Sequence, residues 1–442
     1  MRLPDALQGW LSAATGQMRW KRARPCAEQE LRAHLEDQYG AFLEEGLDEV
    51  EAAERTVREM GDPVETGTRL DRAWRPAPDW FMLGLVLALA AVGMVLQYHL
   101  RQPWVAYMGI SSSPLSMAGI YVIGVCCLLA AYFVDYTVLG KHIRLLYGLW
   151  CAVGALMVLE TPFRQIISGA NFYLRQWVWF FPLLFAGVLY ANRGKGTSGV
   201  QLCLAALLPL WFFCLTAPAT GAMIVMTVVC CALLAGAVWR GMFGGKRKGQ
   251  LCLACAPLMA LAAGAAMLIW RLPHLRNRLA VLFNPTLDRE MSGYQGSVVW
   301  EALFGGVFPA ESRQDALRLI DMEGANDFFL TAVKYRWGWL AFALVLGALL
   351  VLLVRGLTLA HRQSGLLARY VSFAVVLTLA GQTTAYVIQN LGFMAVAAYG
   401  LPLLSFGGTY LCQTMLLLGV LLSAHRTGKL QTGENPLIQR VS

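Results

Sequence analysis

The chain has 442 residues, of which 57% are hydrophobic and only 14% are charged, with a mean hydropathy of +0.53. This composition excludes a soluble globular protein and is typical of a polytopic membrane protein. The net charge of +9 is unevenly divided, because residues 27–65 carry thirteen acidic side chains against three arginines. The basic excess elsewhere is typical of loops that face anionic lipid, so nucleic-acid binding is not expected.

Residues 1–75 are predicted to form a small helical cytoplasmic domain, followed by a linker over 76–80. Apolar side chains share one face of a helix, and Gly61-Asp62-Pro63 is a helix stop. The apolar face includes Leu31, Leu35 and Phe42. This stretch resembles the permease-prefix (HAAS-like) domain that precedes some Firmicute membrane proteins. Two interpretations stay open: a regulatory or partner-docking module, and a solvated cap that only aids folding.

Ten apolar runs follow, each close to the ~20 residues that cross ~30 Å of hydrocarbon. They are residues 81–98, 118–138, 144–160, 177–192, 199–216, 220–239, 251–270, 328–354, 368–389 and 404–423. The sequence therefore predicts an all-α, polytopic membrane domain of about ten transmembrane helices over 81–425, with a tail over 426–442.

Basic residues are concentrated in alternate loops between these runs. With a cytoplasmic N-terminus, the inside loops include Lys141, Arg144, Arg193, Lys195 and Lys246-Arg247-Lys248. The short outside loops hold only Arg101, Arg164 and Arg175. By the positive-inside rule, both termini are expected in the cytoplasm, and the long loop 271–327 is expected outside.

The loop 271–327 is the longest polar interval among the apolar runs, and we expect it to carry the chemistry. It ends at Asp327, where a carboxylate meets the beginning of an apolar run and would be costly to bury. Two interpretations of Asp327 stay open: the N-cap of the next helix, and a functional carboxylate. Gln382, Gln389 and Asn390 lie toward the same end of the ninth run and are expected to help line a cavity with it.

Three stretches of this membrane region carry a family pattern. The first runs from Arg276-Asn277-Arg278 through Asn284-Pro285 to Gly293-Tyr294-Gln295, the second is Asn326-Asp327-Phe328-Phe329, and the third is Leu401-Pro402-Leu403-Leu404-Ser405-Phe406-Gly407-Gly408-Thr409. Together they resemble the SEDS family (shape, elongation, division and sporulation), whose members include FtsW, RodA and SpoVE. The likeness spans roughly 81–425. Departures include Tyr386 in place of a family Asn, and residues 334–336 in place of a paired Glu.

The resemblance implies a peptidoglycan glycosyltransferase that polymerises lipid II into glycan strands during shape maintenance, division or sporulation. It implies Asp327 as the catalytic base. Residues implied to bind substrate are Arg276, Arg278, Gln295, Arg164, Arg175, Ser405, Gly407 and Gly408. The implied partners are lipid II and a class B penicillin-binding protein (a transpeptidase) in the bacterial cell membrane. No protein metal site is predicted, and a divalent cation, Mg²⁺ or Mn²⁺, stays open as a cofactor.

Two other functions remain compatible with the sequence. The acidic and lysine positions that the family carries at helix four are replaced in residues 173–179, which would suit a catalytically inactive lipid II-binding protein or flippase. The acidic N-terminal residues would suit a membrane scaffold for the cell-wall machinery. For any single arginine, contact with lipid headgroups is a simpler interpretation, and for Gly407-Gly408 so is a turn into the last helix.

Overall fold

The computed structural model describes residues 3–21, 23–75, 78–108, 114–159, 166–167, 170–323, 326–394, 400–405 and 407–428. The chain divides into two compact units, the first built mainly on Met1–Pro78 and the second on Asp79–Arg362 with Leu367–Ala424. Arg164, part of the predicted linker and most of the predicted tail lie outside the described residues.

The N-terminal unit contains four helices that surround an apolar core. They are α1 (Asp5–Gly16), α2 (Arg24–Glu44), α3 (Glu49–Met60) and α4 (Pro63–Trp74). The core includes the predicted Leu31, Leu35 and Phe42 of α2. Gly61 ends α3 with a φ of +74°, and Asp62 then accepts hydrogen bonds from the first amides of α4. The helix boundary therefore lies at the predicted stop signal, because glycine adopts positive φ readily and aspartate is a good N-cap.

The rest of the chain forms longer apolar helices with short connecting elements. They are α5 (Trp80–Met108), α6 (Pro114–Phe133), α7 (Val138–Lys141), α8 (Ile143–Leu159), α9 (Phe172–Trp177), α10 (Phe181–Ala191), α11 (Gly196–Ala205), α12 (Leu208–Thr216), α13 (Thr220–Trp239), α14 (Arg247–Arg271), α15 (Pro273–Phe283), α16 (Tyr294–Phe304), α17 (Ala310–Glu323), α18 (Phe329–His361), α19 (Leu366–Asn390) and α20 (Gly408–Thr427). Two-residue strands, β1 (Ile166–Ile167) and β2 (Ala170–Asn171), pair antiparallel, and 3₁₀ turns cover Val178–Phe180 and Pro285–Asp288.

In the described residues, eight helical segments are long and apolar enough to cross a membrane, and two further apolar helices, Met117–Phe133 and Ile143–Leu159, are shorter. These ten segments coincide in order with the ten predicted runs, which confirms the all-α, multi-pass architecture. One predicted span is built from two helices, α11 and α12, which meet at residues 206–207 just before Pro209. Proline favours such a boundary because it removes a backbone donor.

Helix α18 differs from the continuous span that the sequence predicts, because its backbone is non-helical at Gly338 (φ 83°, ψ 179°). At 33 residues it is also longer than the ~20 residues that a bilayer core requires. Exposed Tyr335, Trp337 and Trp339 flank the break, and such side chains are enriched at membrane–water interfaces. This aromatic group lies inside the candidate span Phe329–His361, and Asp327 precedes that span.

Candidate active site

The predicted long loop is folded into three helices, α15, α16 and α17. Arg276 and Arg278 lie on α15, Gln295 lies in the first turn of α16, and Asp327 follows α17. Helix α16 packs against α17, against α18 and against the 3₁₀ turn at Pro285–Asp288, which in turn packs against α15. These four predicted residues therefore belong to one connected group of elements.

Helix α16 is fixed by side chains at both of its ends. Ser297 Oγ donates a hydrogen bond to the Pro285 carbonyl at 3.0 Å, and Trp300 Nε1 donates to the Leu391 carbonyl at 3.0 Å. Lys334 Nζ donates to the carbonyls of Ala302, at 2.9 Å, and Leu303. The last carbonyls of a helix lack intrahelical partners, and a basic side chain satisfies them here. Helix α16 is thus joined to the beginning of α18 and the end of α19.

Glu301 of α16 is a buried carboxylate that shapes the turn after this helix. Its side chain accepts hydrogen bonds from the amides of Val307, at 2.6 Å, and Phe308, at 2.9 Å, and it pairs with Arg313 at 2.7 Å. Burial raises the pKa of this carboxyl, but the two amides and the guanidinium outweigh burial and hold the pKa below its ordinary value. Glu301 is therefore ionised and fixes the turn and the first part of α17.

Two glycines, Gly293 of the family pattern and Gly392 after α19, allow this close packing. A Cβ at Gly293 would lie 2.2 Å from the Pro285 carbonyl oxygen, and one at Gly392 would lie 2.3 Å from the Trp300 ring. Gly392 also has a φ of +93°, a conformation that side chains with a Cβ rarely adopt. Gly293 therefore serves packing within the loop, and Gly392 serves the contact between the loop and the end of α19.

The turn that carries Asp327 is held by the last two turns of α19. The hydroxyl of Tyr386 donates to the Asn326 carbonyl at 2.5 Å, and Asn390 Nδ2 donates to the Asp327 carbonyl at 3.0 Å. Gln389 Nε2 lies 3.5 Å from the same Asp327 carbonyl. Gln389 and Asn390 therefore contact the backbone of Asp327, and a cavity that they line together with it stays a prediction.

Tyr386 and Asn390 also accept hydrogen bonds from the first backbone amides of α18. The amide of Phe329 donates to the Tyr386 hydroxyl at 2.9 Å, and the amide of Thr331 donates to Asn390 Oδ1 at 3.0 Å. The N-cap position belongs to the residue after Asp327, and its side chain makes no capping hydrogen bond. The interpretation of Asp327 as the N-cap is therefore wrong, because α19 supplies the groups that a cap would supply. The side chain of Asp327 is exposed.

The sequence did not predict the contacts that Tyr386 and Lys334 make near the site. Both positions depart from the family pattern, and this was the only signal in the sequence. A departure alone does not reveal that Tyr386 joins Asn326 to Phe329, or that Lys334 caps α16. Gln382, which the sequence groups with Asn390, instead lies 3.3 Å from the hydroxyl of Tyr410.

The predicted substrate-binding residues have different surroundings. Arg276 donates to the carbonyls of Ile269, at 3.1 Å, and Trp270, at 2.5 Å, so its guanidinium caps the end of α14. Arg278 and Gln295 are exposed. Arg175 is half-buried on α9, which packs against α8 and β2 rather than against the loop helices.

Residues 401–405 form a turn, and α20 begins at Gly408. Ser405 Oγ accepts a hydrogen bond from the Leu401 amide at 2.6 Å and donates to the Leu401 carbonyl at 3.3 Å. A cavity of about 10 Å³ lies beside Ser405 and Gly407, next to Gln97 of α5. That volume holds about one water molecule. These contacts favour the turn interpretation, and sugar binding by Ser405, Gly407 or Gly408 stays a prediction.

The relatives of this chain point to one family. A family model for cell cycle proteins, named for FtsW, RodA and SpoVE, matches residues 79–430. A probable peptidoglycan glycosyltransferase FtsW from Xanthomonas oryzae pv. oryzae is 23% identical over 85% of this chain and 79% of its own length. Stage V sporulation protein E of Bacillus subtilis is 22% identical over 80% of this chain and 98% of its own length.

Solved structures share the fold. A chain from a peptidoglycan synthase complex, studied for the coordination of polymerization and crosslinking, superposes with a TM-score of 0.61 at 22% identity, covering 80% of this chain and 98% of that one. A variant of the rod shape determining protein RodA of Thermus thermophilus gives 0.53 at 21% identity, covering 79% and 98%. With a model match over most of its length and the predicted helices in place, the chain belongs to the FtsW, RodA and SpoVE family of cell cycle proteins.

Proposed function

We propose that this membrane protein is a peptidoglycan glycosyltransferase that polymerises lipid II, with Asp327 as its general base. The observation that carries the proposal is an exposed carboxylate in a turn whose backbone is held by Tyr386 and Asn390. Because α19 satisfies the first amides of α18, Asp327 is not needed as a cap. The names of relatives such as the FtsW proteins of Xanthomonas oryzae and Enterococcus hirae support the class of reaction.

In this reaction a sugar hydroxyl of one lipid-linked precursor attacks the sugar carbon that carries pyrophosphate in another. A new carbon–oxygen bond forms, the bond to pyrophosphate breaks, and undecaprenyl pyrophosphate leaves. A hydroxyl is a poor nucleophile, so a carboxylate within about 3 Å accelerates the step by accepting its proton. The hydrogen bonds from Tyr386 and Asn390 fix the backbone on both sides of Asp327, which keeps the base in one position.

The departing pyrophosphate requires positive charge, and we assign this role to Arg278 on α15, whose side chain is exposed. Arg276 is engaged with the end of α14 and serves this role less directly. Among the described side chains, no group of three or more His, Cys, Asp or Glu residues could hold a metal ion. A divalent cation would therefore take most of its ligands from pyrophosphate oxygens and water, as Mg²⁺ commonly does.

Purified protein in proteoliposomes with labelled lipid II tests this proposal. We expect glycan polymer, in an amount that increases when a class B penicillin-binding protein is present as the partner. Binding of lipid II without polymer, both with and without that partner, would instead identify a lipid II-binding protein.

We also propose that both termini are cytoplasmic and that the loop 271–327 faces outward, in the cell membrane of a bacterium. The asymmetry of basic residues between alternate loops supports this orientation. Ser312 is exposed on α17, so a cysteine at this position, in a background without native cysteines, should react with an impermeant reagent on intact cells. Protection of Ser312→Cys together with labelling of Ser442→Cys would reverse the orientation.

For the N-terminal unit we propose a regulatory or partner-docking role, as in the permease-prefix-like domain it resembles. Its own buried core and its acidic residues support a separately folded module. Deletion of residues 1–75 should leave membrane insertion intact and change the partner dependence of polymerisation. Loss of insertion would show that the unit only aids folding.

A further inference from the structure

Two adjoining cavities lie at the beginning of α8: the larger between α8, α10 and α11, and the smaller beside the end of α7, the beginning of α8 and Ala191 of α10. They have volumes of about 440 Å³ and about 410 Å³, and they share Ile143, Arg144 and Ala191 as lining residues. Each is within the ~300–1,000 Å³ typical of ligand sites. None of the elements that hold Asp327 contributes to them, so they form a separate crevice.

The mouth of this crevice is basic. Arg144 and Lys195 line the larger cavity, Lys141 and His142 line the smaller one, and no carboxylate occurs among the described residues that line either. Arg144 lies in the first turn of α8, and Lys195 directly precedes α11. Helix N-termini carry partial positive charge. The C-terminal end of α10 also lies here, at Ala191 and Asn192, and Lys195 Nζ donates to Asn192 Oδ1 at 2.8 Å. The preference for an anion therefore comes from the net positive charge of three cationic side chains, with two helix N-termini beside them.

The inner part of the larger cavity is apolar. It is lined by Val188 of α10 and by Leu202, Ala205 and Ala206 at the end of α11. Its polar groups are paired within the wall: the hydroxyl of Tyr147 donates to the Ala206 carbonyl at 3.1 Å, and Asn192 Nδ2 donates to the Val188 carbonyl at 3.0 Å. Leu202 is also exposed on the surface of this apolar helix, so the cavity opens toward the hydrocarbon. The crevice thus offers an anion site at its mouth and a hydrocarbon site behind it.

We propose that this crevice binds one anionic phospholipid of the surrounding leaflet. The phosphate lies between Arg144 and Lys195, and an acyl chain lies along Val188 and Leu202. Basic pockets between transmembrane helices are known to select anionic headgroups. A free phosphate would use only the mouth and would leave the apolar wall uncovered, and a zwitterionic lipid would use the apolar wall without the excess charge at the mouth.

Native mass spectrometry of the full chain, released from micelles with equimolar phosphatidylglycerol and phosphatidylcholine, tests the proposal. We expect retention of phosphatidylglycerol in preference to phosphatidylcholine. Arg144→Ala and Lys195→Ala should each lower that retention about fivefold, which corresponds to about 1 kcal/mol per charge near a membrane surface. Lys248→Ala, which removes an exposed charge of α14 outside the crevice, is the matched control and should leave retention unchanged.

A second variant separates lipid from phosphate. Ala205→Phe fills the apolar wall and keeps every charge, so it should abolish the retention of phosphatidylglycerol. Equal retention of both lipids, or unchanged retention in Arg144→Ala and Lys195→Ala, would overturn the proposal. So would full displacement of phosphatidylglycerol by inorganic phosphate together with wild-type retention in Ala205→Phe, because the ligand would then be the phosphate alone.

Discussion

The turn at Asp327 and the turn at Ser405 both match the family pattern, yet their polar side chains are used differently. Ser405 is buried, and its hydroxyl bonds with the Leu401 backbone of its own turn. At Asp327 the backbone groups are satisfied from outside, by Tyr386 and Asn390, and the side chain is exposed. A polar side chain engaged by its own turn builds the scaffold, whereas one whose turn is held by other residues can serve chemistry instead.

The largest expected effect is on the polymerisation rate, and it is expected at the Asp327 turn and not at the Ser405 turn. Asp327→Asn should lower the initial rate of lipid II polymerisation by a factor of about 10²–10⁴, because an amide cannot accept the hydroxyl proton. Its melting temperature should stay close to that of the wild type, since Asn has the size of Asp and the hydrogen bonds from Tyr386 and Asn390 to the backbone carbonyls are kept. The rate is measured in proteoliposomes, and the melting temperature is measured by thermal unfolding in detergent. A melting temperature that falls with the rate would show that Asp327 belongs to the scaffold.

The next effect concerns Glu301, the buried carboxylate of α16. Glu301→Ala leaves the amides of Val307 and Phe308 without their acceptor and should lower the free energy of unfolding by about 3 kcal/mol. Exposed Glu311 of α17 provides the control, because Glu311→Ala should change stability by less than about 0.5 kcal/mol.

Glu301 should also make the stability of the fold depend on pH. Its pKa in the folded protein is lower than the ordinary value of 4.5. The carboxylate therefore stabilises the fold above that value, and the stabilisation is lost as the pH falls through the lower, folded-state pKa. The melting temperature of the wild type should therefore decline in acid, and this decline should be smaller in Glu301→Gln. Identical pH profiles for the two proteins would contradict the assignment.

Two tyrosine variants compare the two turns directly. Tyr386→Phe removes the hydroxyl that joins Asn326 to Phe329. Tyr410→Phe removes a hydroxyl that donates to the Gly400 carbonyl at 2.6 Å, beside the turn that contains Ser405. Each should cost about 1–3 kcal/mol of stability. Only Tyr386→Phe should also lower the polymerisation rate per folded molecule, because only that turn carries the base. Equal rate losses in both variants would remove the distinction.

The smallest expected effect is at Ser405 itself. Ser405→Ala removes one buried hydrogen-bonding hydroxyl and should lower the free energy of unfolding by about 1 kcal/mol. The rate per folded molecule should not change, because the hydroxyl is engaged with the Leu401 backbone. A loss of lipid II affinity in Ser405→Ala, measured by binding to the purified variant, would show that this turn contacts the substrate after all.

The architecture of the membrane region could be predicted from the sequence, because runs of ~20 apolar residues repeated along a chain match the thickness of a bilayer core. The break at Gly338 could not, since glycine is tolerated inside apolar helices and its conformation depends on the surrounding contacts. The N-cap interpretation of Asp327 failed for a related reason. Tyr386 and Asn390 replace the cap. In the sequence they lie 57 and 59 residues away from Phe329 and Thr331, whose amides donate to them. Their position depends on how α18 and α19 pack, and local propensity contains no information on that.

The most direct test of Asp327 as a catalytic base measures lipid II retention and glycan polymer in the same sample of Asp327→Asn. We predict retention at the wild-type level with polymer reduced at least about 10²-fold, because Asn has the size of Asp and cannot accept the hydroxyl proton. Polymer at the wild-type rate would contradict a general base at Asp327. Retention without polymer in the wild type as well would show that the chain binds lipid II and does not polymerise it.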